Sequence, residues 1–223
     1  MFPDAHSHYS GKGVCLNVEY HDYESLGRFK YTQNISYSAH PWLADKFNFC
    51  EFVRVLDLIN SRKDLRLLAF GEIGLDRIKG GDFKQQQDVF DTIAKFISKS
   101  HFPVIVHCVK SFHAVSKVLT KYDLNNRSLF HDFYGSREEL EILISAGNYI
   151  GVGSCLSRPG SRVYKLIKEL PLDRILLESD DTGHSIEVIY DQFSKVMGIP
   201  LGAVRSQMAR NFTEFFEVSH LSL

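Results

Sequence analysis

Hydrophobic and polar positions along the chain alternate between two rhythms. Short apolar runs recur at Asn34–Ser38, Leu65–Glu72, Pro103–His107, Ser128–Phe133, Tyr149–Gly153 and Arg174–Glu178. Val104-Ile105-Val106 shows the type: apolar at every position, as in a strand whose two faces are both buried in a parallel sheet. Between these runs the period changes to 3.6 residues. In Phe83–Ser100 the apolar positions Val89, Phe90, Ile93, Ala94, Phe96 and Ile97 form one helical face. Similar patterns predict helices over Ala44–Ser61, Ser111–Tyr122, Ser136–Ala146, Ser161–Glu169, Ser185–Met197 and Pro200–Val218. The punctuation agrees. Ser136 and Glu139 have the spacing of a capping box, which satisfies unpaired amides at a helix start. Gly147 and Gly198 follow helix ends, where a left-handed residue strains glycine little. Alternating strand–helix units predict an α/β fold with a parallel sheet. No low-complexity or Pro/Gly-rich linker divides residues 1–223, so one domain is expected.

The start of the chain breaks this rhythm. Phe2–His8 and Val14–Glu19 both read as strands, yet only Tyr9–Gly13 separates them. A parallel crossover takes a dozen or more residues. The second segment is therefore expected to pair antiparallel, to lie outside the sheet, or not to be a strand.

Chemistry-bearing residues gather where the apolar runs end. His6 and His8 point to one face of a strand, because the side-chain period is two. Glu72, His107, His131 and Asp180 each stand at or just past the C-terminal end of a further run. Each has an ordinary structural reading. A lone strand-end histidine is commonly packed and hydrogen-bonded, Asp180 can cap a helix, and Glu72 can be a loop residue among glycines. The joint pattern is what those readings do not explain. In a βα barrel the C-terminal face of the strands carries the active site. Histidines mixed with carboxylates suit Zn²⁺, Mn²⁺ or Mg²⁺. Six such residues exceed what one open catalytic ion takes, and match two ions sharing a carboxylate.

Composition narrows the class. The 223 residues, 44% hydrophobic, suffice for a buried core without disulfides. A net charge of −1 gives no bulk basic signature for nucleic acid, so any such contacts must be local. Cys15, Cys50, Cys108 and Cys155 form no C-x-x-C pair, which argues against a zinc ribbon or disulfide scaffold and fits a reducing compartment. No apolar run approaches the ~20 residues of a membrane span. The first residues show no basic and apolar leader pattern, so a cytoplasmic setting is expected.

Several motifs occur together and in order. They are Asp4-x-His6-x-His8, His40-Pro41, Gly71-Glu72-Ile73-Gly74-Leu75-Asp76, Pro103–His107, His131 with Phe133 and Gly135, and Glu178-Ser179-Asp180. This set resembles the TatD family of metal-dependent nucleases in the amidohydrolase-like superfamily. The resemblance implies a (β/α)8 TIM-type barrel that binds two divalent metal ions and cleaves phosphodiesters in DNA, often from a strand end. It implies one ion on His6, His8, Glu72 and Asp180, and another on Glu72, His107 and His131, with Glu72 bridging. Glu72 and Asp180 would be the catalytic residues, Asp180 orienting or deprotonating the attacking water. Glu178 would support the ligands from behind, and His40 would contact the scissile phosphate.

The chain also departs from the family. Val109 stands where an arginine is common, leaving Lys110 as the nearest cation, a point charge for phosphate rather than a bidentate fork. Tyr134 replaces a small residue and offers a ring for base stacking. Asp181-Thr182-Gly183 replaces the usual Ala-Pro, and a helix cap is the expected role of Asp181. Arg77, Lys79, Lys84, Arg158, Arg162 and Lys165 are predicted around the same face. There is no room for a helix between His8 and Val14, so the barrel is expected to be abbreviated near its first two strands. That side would be more open and would expose apolar surface to a partner protein. Such compact variants resemble the TatD-like nucleases of antiphage (antiviral) defence operons, the QatD type. The implied function is a metal-dependent DNase acting on single-stranded DNA or DNA ends. The alternatives are an amide or ester hydrolase on the same scaffold, or a non-catalytic subunit of a defence complex.

Overall fold

Eight strands lie in one parallel sheet, ordered as in the chain: β1 (Asp4–Ser7), β2 (Val14–Glu19), β3 (Gln33–Ser38), β4 (Leu65–Asp76), β5 (Val104–Val109), β6 (Ser128–Phe130), β7 (Tyr149–Val152) and β8 (Ile175–Leu177). The computed structural model describes residues 2–218; Met1 and residues 219–223, which include His220, lie outside the described residues. Just beyond β8 the chain returns to β1. The Asp180 N–H donates to the His6 carbonyl at 3.0 Å, and the His8 N–H donates to the Asp180 carbonyl at 3.4 Å. The sheet thus closes into a (β/α)8 barrel. Around it run α1 (Phe49–Ser61), α2 (Phe83–Ile97), α3 (Phe112–Lys121), α4 (Arg137–Ser145), α5 (Arg162–Leu166), α6 (Ile186–Met197) and α7 (Leu201–Phe215).

β2 corrects the expectation drawn from its short connection. It is a full member of the sheet, parallel to β1 in the register Asp4↔Val14 and parallel to β3 through Cys15↔Asn34 to Glu19↔Ser38. The reason is the shortness of β1. Four residues rise only ~13 Å at ~3.3 Å each, a distance that a six-residue loop can retrace without a helix. The loop turns at Gly13, in the left-handed region at φ 77, and the Asp4 N–H donates to the Gly13 carbonyl at 3.0 Å. Gln33, fully buried, satisfies the loop's backbone. Its Oε1 accepts from the Gly11 N–H at 3.2 Å, and its Nε2 donates to the Val14 carbonyl at 2.9 Å. What is abbreviated is the helical layer, not the sheet. Nor is the outer face of β2 left bare: Leu16 and Val18 are buried, in a cluster that also takes in Leu26 and Phe29. The expected exposed apolar surface, and with it that reason for a docked partner, is absent there.

Other boundaries shift for local reasons. The segment read as one helix from Ala44 is a 3-10 turn, Pro41–Lys46, followed by α1. Asn48 separates them, its side chain accepting from the Glu51 N–H at 3.0 Å as an N-cap. Ser136 and Glu139 do form the reciprocal capping box of α4. Gly198 ends α6 in the left-handed region. Below the sheet, Phe212, Phe215 and Phe216 pack against the inward residues Ala5, Cys15, Leu68 and Tyr149 and close that end of the barrel. Asn211 pins α7 in place by donating to the Leu172 and Ile175 carbonyls at 2.7 and 2.6 Å. Asn211→Leu strands both acceptors, and is expected to lower unfolding stability by about 2 kcal/mol in urea titration. An unchanged midpoint would show that the helix is held by its phenylalanines alone.

Candidate active site

All the ligand candidates converge at the C-terminal end of the strands, on Glu72. Its Oε1 lies 3.2 Å from His6 Nε2 and 3.4 Å from His8 Nε2. Its Oε2 lies 2.7 Å from His131 Nε2, 3.1 Å from His107 Nδ1 and 3.4 Å from His40 Nε2. Asp180 Oδ1 completes the first group, 3.5 Å from His6 Nε2 and 3.4 Å from His8 Nε2. In that group of four the donor atoms all lie within 4.8 Å of one another.

The glycines around Glu72 explain its placement. Gly71 and Gly74 both sit at φ 146, where side chains are strained. A Cβ at Gly71 would lie 2.4 Å from the Ile105 carbonyl oxygen, and one at Gly74 would lie 2.0 Å from that of His107. Only glycine lets β4 lie this close to β5, which brings Glu72 to His107. The Glu72 amide is held in turn by Asn17 of β2, whose Oδ1 accepts from it at 3.0 Å.

The donor set fits divalent ions. His6 is fully buried, and its Nδ1 and Nε2 have no hydrogen-bond partner; its Nε2 is near two carboxylates but not aligned with them as a hydrogen bond. His131 Nδ1 is also buried without a partner. Buried polar atoms are rarely left this way, and mixed imidazole and carboxylate donors suit a cation. The electrostatics carry the same mark. Burial opposes charge on His6, but Glu72 and Asp180 hold the ring's pKa well above its usual value. His8 is raised to about 9, mainly by its contact with Asp180. Burial opposes ionisation of Glu72 as well, but His131 and His6 hold it well below the carboxylate range.

Proton positions separate His40 from the others. Its Nδ1 accepts from the Trp42 N–H at 3.2 Å, and burial lowers its pKa. A neutral ring with Nδ1 accepting carries its proton on Nε2 and turns a donor toward Glu72. The same Nε2 lies close enough to donor atoms of Glu72 and His107 to hold an ion with them once that proton leaves. In His107 the arrangement is reversed. Nε2 faces Asp76 Oδ2 at 3.3 Å, and Nδ1 faces Glu72 Oε2 at 3.1 Å and His131 Nε2 at 3.2 Å, so Nδ1 is the atom it would turn to an ion.

Outside the ligand candidates lies a shell of which sequence reading named Glu178 and missed Asp76 and Asp4. Asp76 also accepts from Trp42 Nε1 at 2.7 Å, and so orients a ligand and an exposed indole together. Asp4, buried, accepts from the Ser179 N–H at 3.0 Å and the Ser179 hydroxyl at 2.6 Å, tying the segment before Asp180 to β1. Burial pushes the Asp4 carboxyl up to about 6. Asp4 and Asp76 share the period-two spacing of His6 and Glu72, a signal available in the sequence. Glu178 is fully buried and touches no ligand directly. Its Oε1 accepts from the Asp132 N–H, beside His131, and Gly151 leaves room for it: a Cβ there would lie 2.6 Å from the carboxylate.

Two cavities meet at this centre, sharing His107, His131 and Asp132. One, about 770 Å³, extends past Glu19 and Trp42 over β2 to Leu26 and Phe29. The other, about 510 Å³, extends past Lys110 and Tyr134 to Arg158 and Arg162.

The profile of the TatD-related DNase family matches residues 11–217. The chain belongs to this family. Among curated relatives, the uncharacterized metal-dependent hydrolase YjjV of Escherichia coli K12 is 31% identical over 144 residues, covering 63% of this chain and 55% of the relative. The 3'-5' ssDNA/RNA exonuclease TatD of Pantoea ananatis is 30% identical over 146 residues, covering 64% of this chain and 53% of that protein. The chain thus spans about half the length of these curated relatives. The crystal structure of YjjV superposes with a TM-score of 0.75 at 24% identity, covering 93% of this chain and 88% of that one. It shows the shared fold.

Against the TatD pattern, two departures now have places. Lys110, at φ 51, and Tyr134, whose ring lies 5.4 Å from the Arg158 guanidinium, line the second cavity. Asp181 caps no helix, contrary to expectation. α6 begins only at Ile186 with Ser185 before it, and Asp181 lines the first cavity instead. Lys84 pairs with Asp88 in the first turn of α2 rather than standing in a loop.

Proposed function

We propose that this TatD-family chain is a divalent-metal-dependent deoxyribonuclease that hydrolyses phosphodiester bonds in single-stranded DNA or at DNA ends, using two ions. The observation that carries this reading is the division of Glu72. One carboxylate oxygen faces His6 and His8, and the other faces His107 and His131. One ion, Mg²⁺, Mn²⁺ or Zn²⁺, would be held by His6, His8, Glu72 and Asp180, and the other by Glu72, His107 and His131. Bound there, such a pair supplies Lewis-acid stabilisation of the phosphoryl oxygens and a more acidic water.

The chain's own residues do the rest. Asp180 orients the attacking water and accepts its proton. His40 donates from Nε2 to a phosphate oxygen. Glu178 holds the backbone beside His131, and Asp76 holds His107. Lys110 meets a neighbouring phosphate. Four exposed apolar side chains, Tyr9 at 64%, Trp42 at 42%, Ile78 at 67% and Tyr134 at 48%, stand on loops that follow β1, β3, β4 and β6. Aromatic platforms around a cleft suit unpaired bases, which a duplex would not present. On the wall of the second cavity Lys110, Arg158 and Arg162 outnumber the carboxylates Asp132 and Glu139, which favours a polyanion over the amide or ester substrates of a deacylase. The four cysteines are free thiols, which supports a reducing setting such as the cytoplasm. No helix among the described residues is long and apolar enough to cross a membrane.

The test is purified protein with Mg²⁺, Mn²⁺ or Zn²⁺ on end-labelled single- and double-stranded DNA, a dye phosphodiester and an acyl ester. Cleavage of the ester alone would overturn the nuclease reading. His40→Ala is expected to lower kcat/KM by about 100-fold, the scale of one lost transition-state donor, with the bound metal unchanged. Loss of an ion in that variant would make His40 a ligand instead.

A further inference from the structure

Trp42 lies in the 3-10 turn that follows β3 and reaches two histidines of the centre. Its backbone N–H donates to His40 Nδ1 at 3.2 Å. Its indole Nε1 donates to Asp76 Oδ2 at 2.7 Å, and the same oxygen lies 3.3 Å from His107 Nε2. The ring stands edge-on to both imidazoles, its centroid 4.7 Å from that of His40 and 6.0 Å from that of His107. The loop after β4 packs against the same residue. A Cβ at Gly80, at φ 88, would lie 2.8 Å from the Trp42 Cα, and the Lys79 ammonium lies 4.5 Å from the centre of the indole ring.

Asp76 is buried, so its carboxylate depends on protein donors. Oδ1 takes two, the Ile78 and Lys79 N–H groups at 2.7 and 3.0 Å. Oδ2 is shared between the indole and His107. The indole contact is the shorter, in the range of a charge-assisted hydrogen bond, so it fixes where Oδ2 lies. The position of Oδ2 then sets the His107 ring, because a ligating imidazole is oriented by the acceptor on its other nitrogen. A packing role for the Trp42 ring does not require this N–H.

Resting on the two-ion reading above, we infer that Trp42 is a positioning residue for the ion beside His107. Its indole N–H holds Asp76 Oδ2, and Asp76 holds the His107 ring with Nδ1 turned to Glu72 at 3.1 Å. Removing that N–H releases Oδ2 and loosens the ring, so the ion on Glu72, His107 and His131 is held less tightly. The other ion is insulated. Among the described residues, His6, His8 and Asp180 share no hydrogen bond or ring contact with Trp42 or Asp76. The effect is therefore asymmetric: one ion weakens and its neighbour does not. The indole also lines the first cavity, so the side chain that steadies the ion faces the space open to substrate.

The test titrates Zn²⁺ into the full chain after chelation, followed by calorimetry and by tryptophan emission. Trp42 is the chain's one tryptophan, so emission reports on this residue alone. The wild type is expected to bind two ions, with emission changing as one binds and not as the other does. That emission step should survive Asp180→Asn, which removes a ligand of the other ion. Trp42→Phe keeps an aromatic ring and the backbone N–H and removes the indole N–H. It is expected to weaken one Zn²⁺ affinity by about 10–100-fold, the scale for a lost partner behind a ligand, and to move the other less than about twofold. A merely structural role for Trp42 would lower the unfolding midpoint and leave the ratio of the two affinities as it was. An unmoved ratio in Trp42→Phe, emission that ignores both ions or follows both alike, or loss of the emission step in Asp180→Asn would overturn this assignment while the two-ion reading stands. The emission measurements decide the matter even if Trp42→Phe does not fold. Fewer than two ions on the wild type would overturn the two-ion reading and this inference with it.

Discussion

Glu72→Ala is expected to abolish turnover and to empty both metal positions. This one carboxylate lies within ion-pairing distance of five imidazoles, His6 and His8 on one oxygen and His107, His131 and His40 on the other. No neighbouring side chain can replace it, because Gly71 and Gly74 keep β4 against β5 and leave only the Glu72 side chain at that point. Both ions would lose their shared anionic ligand, so kcat/KM should fall on the order of 10³-fold or more, the several kcal/mol that a metal site contributes to a phosphoryl transition state. Metal analysis should fall from about two ions per chain to less than one. The metal-free protein adds a check that does not depend on activity. There Glu72 is the main charge balancing the buried His6, and removing one member of a buried ion pair destabilises by about 3–5 kcal/mol. A folded Glu72→Ala protein that retains both ions and cleaves at the wild-type rate would end the bridging assignment.

The convergence of the candidate ligands at one end of the barrel was readable because their positions obey a short-range rule. Each stands at or just past the end of an apolar run, and His6 and His8 repeat with the period of a strand. What supports them was not readable in the same way. Asn17 reaches the Glu72 amide only because β2 lies parallel between β1 and β3. The usual length of a parallel crossover argues against that arrangement, and the four-residue β1 makes it possible. The 3-10 turn before α1 was hidden by continuity of pattern. Apolar residues run on past Phe47, and the break lies in the polar cap at Asn48. Trp42 reads as an ordinary surface aromatic until Asp76, far off in sequence, is seen to hold both its indole and His107.

Asp180→Asn should silence the protein in a different way. Asp180 sits at φ 50, in the left-handed region that asparagine tolerates well. The hydrogen bonds that close the barrel here run through its backbone, from the Asp180 N–H to His6 and from the His8 N–H to Asp180, so the substitution leaves them intact. What it removes is charge. Burial opposes ionisation of Asp180, but His6 and His8 hold its carboxyl well below the usual range, so the wild-type group is an anion at neutral pH. An amide of the same shape cannot accept a proton from water. Loss of a general base costs on the order of 10²–10⁴-fold in kcat. Glu72, His107 and His131 are untouched, so that ion should remain and metal content should fall by one ion at most. The two variants are thus expected to share silence and to differ in metal. If Asp180→Asn empties both positions, the two donor sets do not hold their ions independently. If turnover survives, the proton goes elsewhere, and Asp181, the adjacent carboxylate that lines the cavity, is the group to replace next.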